Sequence, residues 1–240
     1  MKKLKFIINI ILIFILINSS NIIVKALKEE KHNNFTICID AGHQKKGDNN
    51  LESVSPGASK KKARVSQGTS GICTQKAEYV VNLEASILLK EILLNKGYNV
   101  VMTRESHDVN ISNAERAEIA NKSKADMTIR IHCDSVKDSS KTGATILIPC
   151  SKDGNTKNIY EESNKFANIL KDNLTEEGIK VNGVFERNDI TGFNWSDVPV
   201  VILEMGFMSN YNEDKMLCDE NYQKKLMNIV GESIDKYKEN

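Results

Sequence analysis

"ADMTIRIHCDS", residues 125–135, reads as a buried strand that stops at a histidine. Alternation sends Met127, Ile129 and Ile131 to one face and Thr128, Arg130 and His132 to the other. A histidine closing such a strand, with Cys133 and Asp134 directly after it, is either a satisfied core residue or one member of a site. The segments around it decide which.

Immediately upstream, "SNAE" (Ser112 to Glu115) has the form of a capping box, in which each side chain satisfies a free amide of the opening helical turn. The helix it starts carries Arg116 and extends to about Lys122. Before it, "YNVVMTR" reads as a strand. Before that, Thr74 is placed to cap a helix whose Val80, Leu83, Ile87 and Leu94 share a stripe up to the stop at Gly97. "FTICID", Phe35 to Asp40, reads as a short buried strand ending at "AGH". Residues 44–73 lack periodicity and read as one long loop, either functional or mobile. Downstream, "ATILIP" is a strand, and Ile159, Ser163, Phe166, Leu170 and Leu174 place a helix closed by Gly178. "VPVVILEMGF" (Val198 to Phe207) is a strongly apolar strand with Glu204 inside it. Tyr222, Leu226, Ile229 and Tyr237 mark a last helix.

Strands alternating with helices predict a single α/β domain, an open, mostly parallel twisted sheet flanked by helices. Ligands of such sheets gather beyond the carboxyl ends of the strands. His43 and His132 both stand at such ends and Glu204 lies late in its strand, so the three are expected to converge on one edge.

Composition is that of an ordinary globular chain of 240 residues, 40% hydrophobic and 27% charged. No solenoid or propeller repeat is present. The first residues stand apart: Lys2, Lys3 and Lys5 precede an apolar run from Phe6 to Ile17 and a polar break at residues 18–21. That is the layout of a secretory signal peptide, with Val24 and Ala26 at the small-residue positions before a cut. The run is short of the roughly 20 apolar residues of a spanning helix. Counted on to Val24 it nears that length, so residues 1–26 are a signal peptide or an uncleaved signal anchor that tethers the chain to the membrane. Either way the body is exported, extracellular or wall-associated. Residues 27–34, "LKEEKHNN", read as a polar tether to a domain over residues 35–240.

Without residues 1–26 the chain keeps 29 basic against 32 acidic residues, a balance of −3, and nothing in it points to nucleic acid. "KKKAR" (Lys60 to Arg64) is most simply a solvated loop and, as a weaker alternative, a contact for an acidic surface polymer. Five cysteines, Cys38, Cys73, Cys133, Cys150 and Cys218, leave at least one thiol free in an exported protein and lack CxxC spacing. Neither a disulfide nor a zinc–thiolate site is expected, and Cys38 reads as a small core residue.

Two histidines and a carboxylate suit a catalytic zinc ion, since three ligands leave a coordination position for water. Residue type alone does not choose the carboxylate. Glu78, in a first helical turn, is also what the helix dipole favours. Glu204, an acid in an apolar strand, needs a task or a salt bridge, with Arg104, Arg116 or Arg130 as candidates. The residues alone lead to a metal-assisted hydrolase.

Five stretches in order, "ICIDAGH", "AEYVVNLEASILLKEILLNKGYNVVMTR", "SNAERAEIAN", "ADMTIRIHCDS" and "VPVVILEMGFMSN", resemble the catalytic domain of the zinc-dependent N-acetylmuramoyl-L-alanine amidases. The resemblance runs from about Phe35 to the C-terminus. It implies an open, mixed sheet flanked by helices, one Zn2+ held by His43, Glu78 and His132, and Glu204 as the catalytic acid–base group. The implied substrate is peptidoglycan, cut at the amide joining the lactyl group of N-acetylmuramic acid to L-alanine. Gln44 and Lys45 stand where glycines commonly follow the first histidine, and Cys133 and Asp134 replace alanine and asparagine. These departures spare the metal set and bear on substrate positioning. A Cys133 nucleophile acting with His132 is disfavoured, because neighbours in a strand face opposite ways.

Two other readings use the same residues: a peptidoglycan-binding relative without activity, and a zinc peptidase cutting elsewhere in the stem peptide. The layout also resembles amidases that trim spore cortex, with autolysis and cell separation as alternatives. An accessory protein is a further expected partner.

Overall fold

In the computed structural model, which describes residues 33–239, the stretch around His132 becomes a central strand of a six-stranded sheet. Its members are β1 (Asn33–Ala41), β4 (Tyr98–Met102), β5 (Met127–Asp134), β6 (Ala144–Pro149), β7 (Val181–Arg187) and β8 (Val200–Phe207), in the order β4-β1-β5-β8-β6-β7. β5 pairs in parallel with β1 and with β8, and β7 with β6, whereas β6 runs antiparallel to β8. The sheet is mixed and mostly parallel, as expected.

One face of the sheet presents Ile37, Ile39, Met127, Ile129, Ile131, Val201 and Leu203, all inaccessible to solvent. They pack with the helices α1 (Glu78–Asn95), α3 (Lys157–Glu176) and α6 (Glu220–Glu239) in the main core. Each such aliphatic side chain contributes about 1.5–3 kcal/mol by leaving water. The opposite face carries Cys38, Thr128, Arg130, His132, Val200, Ile202 and Glu204, and α2 (Asn113–Lys122) and α4 (Thr191–Asn194) cover part of it. Small clusters, Phe193 with Val200 and Ile202, and Cys38 with Ala120 and Ala125, seal this second layer. Helices therefore flank both faces, and a short helix, α5 (Tyr211–Leu217), follows β8.

Four expectations are corrected. Residues 44–73 contain an antiparallel hairpin, β2 (Asp48–Ser53) with β3 (Lys61–Val65), so "KKKAR" lies on and beside a strand rather than in a loop. The hairpin's polar and charged residues give no apolar alternation in sequence, although Val65 is buried. α1 starts at Glu78 behind Ala77, which makes no side-chain cap, and the Thr74 hydroxyl instead donates to Asp214 Oδ1 at 2.7 Å. The buried stripe of α1 is Val81, Ala85, Leu89 and Leu93, while Ile87 and Leu94 are exposed. Gly231 of α6 explains the small residue at this contact, since a Cβ there would come within 2.9 Å of Ile92. Finally, Asn33 and Asn34 belong to β1 rather than to a tether. The segment read as a signal or anchor, 1–26, lies outside the described residues. Among the described residues no helix is long and apolar enough to cross a membrane.

Candidate metal centre

His43 follows β1 directly and has a left-handed backbone, φ +60°, uncommon for a side chain with a Cβ. Three arginine-bound carbonyls hold it there. Arg104 donates to the carbonyls of Ala41 and Gly42 at 2.9 Å each, and Arg116 donates to those of Ala41 at 2.8 Å and His43 at 3.0 Å. The sequence places Arg116 one residue after the capping box, and Ser112 and Glu115 do form that box. Below the loop Asp40 is fully buried and accepts from Arg116 and Arg130 at 2.7 Å and from Thr103 at 2.6 Å. Burial by itself would raise the Asp40 carboxyl; the two guanidiniums and the hydroxyl reverse this and hold it far below the usual carboxylate range.

The structure brings all four expected site residues to one edge. Glu78, at the first turn of α1, points Oε1 to His43 Nε2 at 3.1 Å and to His132 Nδ1 at 3.4 Å. The two imidazoles are edge to face with centroids 4.8 Å apart. One ligand atom from each of His43, Glu78 and His132 lies within 4.8 Å of the others. His132 and Glu204 are register partners on β5 and β8, so both side chains leave the same face side by side.

The chemistry of these donors fits a cation. His43 Nδ1 lies 3.0 Å from both the carbonyl and the hydroxyl oxygen of Ser66, and its Nε2 faces Glu78 Oε1. Burial pushes the His132 imidazole down to about 4, with Glu78 opposing, so this ring is neutral near pH 7. Burial pushes Glu78 upward, but hydrogen bonds with His132 and His43 more than reverse this and hold it well below its usual range. Glu78 Oε1 also accepts from Asn82 and from the Cys133 amide at 3.1 Å, and Oε2 from the Thr69 amide at 3.0 Å. Two imidazoles gathered on one carboxylate oxygen are donor types that suit a zinc ion. His132 Nε2 and Glu204 Oε2 are buried without a hydrogen-bond partner, as expected of groups reserved for a ligand.

Glycine makes the close approach feasible. A Cβ on Gly42 would stand 2.4 Å from the His132 ring, and one on Gly68, at φ +84°, would stand 2.5 Å from Glu78 Oε2. Neither glycine was singled out in the sequence, where both lie in an apparent loop or turn.

Glu204 has none of the salt bridges weighed for it. Arg116 and Arg130 pair with Asp40, and Arg104 is spent on carbonyls. Burial, then the charges of Glu78 and Asp134, raise the Glu204 carboxyl well above its usual range. Gln44 is fully buried and ties the loop together: its Oε1 accepts from the Ile111 amide at 3.0 Å and from Arg116 at 3.2 Å. Its task is the scaffold rather than contact with substrate. The Cys133 thiol is buried and pushed far up by burial and by Glu78 and Glu204, and among the described residues all five cysteines are free.

An α/β sheet whose strand ends gather His43, Glu78 and His132 into a group that could hold a metal ion, with Glu204 alongside, has the layout of a metal-assisted hydrolase. Residues 37–236 match the family model of N-acetylmuramoyl-L-alanine amidases. The chain belongs to this family, hydrolases of the amide between N-acetylmuramic acid and L-alanine in peptidoglycan. The germination-specific N-acetylmuramoyl-L-alanine amidase of Bacillus subtilis is 24% identical over 65% of this chain and 69% of that protein. A probable cell wall amidase of Staphylococcus saprophyticus, LytH, is 27% identical over 71% of this chain and 54% of its own length. Among solved structures, the amidase Ami1 of Mycobacterium abscessus superposes with a TM-score of 0.76 at 23% identity, covering 85% of this chain and 98% of its own. The CwlD amidase of Clostridioides difficile, solved in complex with the GerS lipoprotein, superposes at 0.67 and 24% identity over 86% of this chain and 99% of its own. These two likenesses are of fold.

Proposed function

We propose that this amidase is an exported zinc enzyme of wall or spore peptidoglycan, in which His43, Glu78 and His132 hold the ion and Glu204 moves the proton. The observation that supports this reading is the convergence of three ligand atoms within 4.8 Å beside an unpartnered Glu204 oxygen. Zinc, when bound, supplies Lewis acidity, drawing the pKa of water towards about 7 and polarising an acyl oxygen.

The remaining work falls to the chain. Ser66 holds the His43 ring at Nδ1, and Asn82, Thr69 and the Cys133 amide fix both oxygens of Glu78, so the ligands are oriented before any ion arrives. Glu204 takes a proton from the attacking water and returns it to the departing alanine nitrogen. The unpartnered Glu204 oxygen is the atom placed to accept that proton.

Spore germination or wall turnover is the proposed setting, in keeping with the names of the similar proteins. The N-terminal segment is the proposed export signal or membrane tether. The lipoprotein complex of a structurally similar amidase supports an accessory partner for this chain too. The test is digestion of purified wall with mass analysis of the products. New L-alanine amino termini are expected; cuts only within the stem peptide would make it a peptidase, and no cuts a binding protein.

A further inference from the structure

Beyond Glu204 the covered face of the sheet opens into a shelf. On β6, Thr145 is the register partner of Glu204, and Leu147 that of Ile202, so these side chains leave the same face as Glu204. β7 continues the rows: Phe185 lies opposite Leu147 and Arg187 opposite Pro149. α4 packs its Phe193 over Val200 and Ile202, with Leu147 at the margin of that cluster, but Phe185 remains 48% exposed. The Phe185 ring folds back along its own strand. A Cβ on Gly183, whose φ is +145°, would meet that ring at 3.1 Å. Gly183 precedes the Val184 partner of Ile146, which places it near the level of Thr145, where the pairing shifts. The ring therefore lies in the row that runs from Glu204 through Thr145. Two strand spacings put it about 10 Å from Glu204, the length of about three residues of an extended bound peptide.

Arg187 closes the shelf. Its side chain is 44% exposed and grips Asp189 with Nε at 2.8 Å and Nη2 at 3.0 Å, and Nη1 is not used in that pairing. Lys62 of the hairpin approaches the same Asp189 at 3.6 Å and donates to its carbonyl. Two cations thus share Asp189 at the rim. The field of Arg187 reaches Glu204, where it opposes the upward push of burial.

We infer that this shelf, Phe185 with Arg187, receives the peptide side of the scissile amide, Arg187 meeting a free carboxylate of the stem peptide. The inference rests on the amidase reading above and assigns a side to the substrate. On the sugar side the muramic carboxyl is consumed in the scissile amide and the sugars are uncharged. Free carboxylates lie on the peptide side, and a partly exposed guanidinium offers them bidentate donors. Arg187 is a positioning residue for substrate, and the exposed ring supplies the apolar floor.

The experiment compares two synthetic substrates, N-acetylmuramoyl tripeptide with free carboxylates and the same compound with every carboxylate amidated. They are given to the zinc-loaded wild-type protein, R187Q, R187K and F185A. Wild type is expected to prefer the free acid about tenfold in kcat/KM, mainly through KM. R187Q should bring that ratio near one, R187K should restore part of it, and F185A should raise KM for both substrates. The inference is overturned if wild type cleaves both equally or if R187Q keeps the wild-type ratio. Cleavage of neither by wild type would instead sink the amidase reading, and this inference with it. Because the readout is a ratio within one preparation, a loss of folded protein does not imitate the expected result.

Discussion

Glu204 sits in the apolar run Val200–Phe207 with one oxygen unpartnered and with every nearby arginine committed elsewhere. A buried acid in that state costs stability unless it has a task, and the two histidines beside it supply one. Glu204→Gln keeps the size and removes the exchangeable carboxyl proton. It is expected to retain zinc while kcat falls by about 10²–10⁴-fold, whereas His132→Ala should lose metal and turnover together. Metal analysis alongside the rate on purified wall separates the two. Comparable metal loss in both would show that Glu204 is a ligand rather than the proton carrier. The strand position of His132 made its place at the sheet edge legible, but the argument for Glu204 needed coordinates, because three arginines in the sequence offered it a salt bridge it does not make.

Between β1 and α1 the chain folds residues 66–78 against the site, and one glycine sets the approach. Gly68→Ala would force a Cβ at φ +84°, costing about 1–2 kcal/mol from the backbone alone, and would press on Glu78 Oε2 and the His43 ring. Weaker zinc binding, read by competition with a chelator, is expected together with a lower thermal midpoint. Unchanged affinity would mean that this loop does not shape the ligand set.

The elements themselves were unevenly legible. Strands such as Met127–Asp134 and helices such as Lys157–Glu176, buried on a continuous face, announce themselves through periodicity. α1 misleads, because its apolar residues spread over two faces, and the one that packs is marked by Ala85 and Ser86 rather than by Ile87 and Leu94. The hairpin and β7, with polar residues turned to water, carry no alternation to read. Within the site, the ligand types could be named from strand ends and motif resemblance. Their supports could not, since Ser66 with His43, Asp40 with Arg116 and Arg130, and Asp214 with Thr74 are pairings across the fold.

For the molecule as a whole, the Asp40 cluster links the sheet to α2 and to the loop bearing His43. Its folded carboxyl titrates below the unfolded value near 3.9. The stability it contributes is therefore fully present above that pH and is lost as pH falls towards the folded value. Asp40→Asn strands two buried guanidiniums, so a loss of about 3–5 kcal/mol is expected near neutrality, with a shallower further loss in acid than wild type. Urea midpoints followed across the acid range check this; parallel curves for the two proteins would remove Asp40 from the acid response. At this scale the central claim is the proposed zinc ion on His43, Glu78 and His132. Zinc content per chain, measured on wild type and on His132→Ala after equal exposure to the ion and paired with the appearance of L-alanine amino termini in purified wall, tests it most directly. One ion per wild-type chain, activity lost on chelation and restored by zinc, and no ion in His132→Ala are predicted. Full activity in metal-free wild type would contradict it.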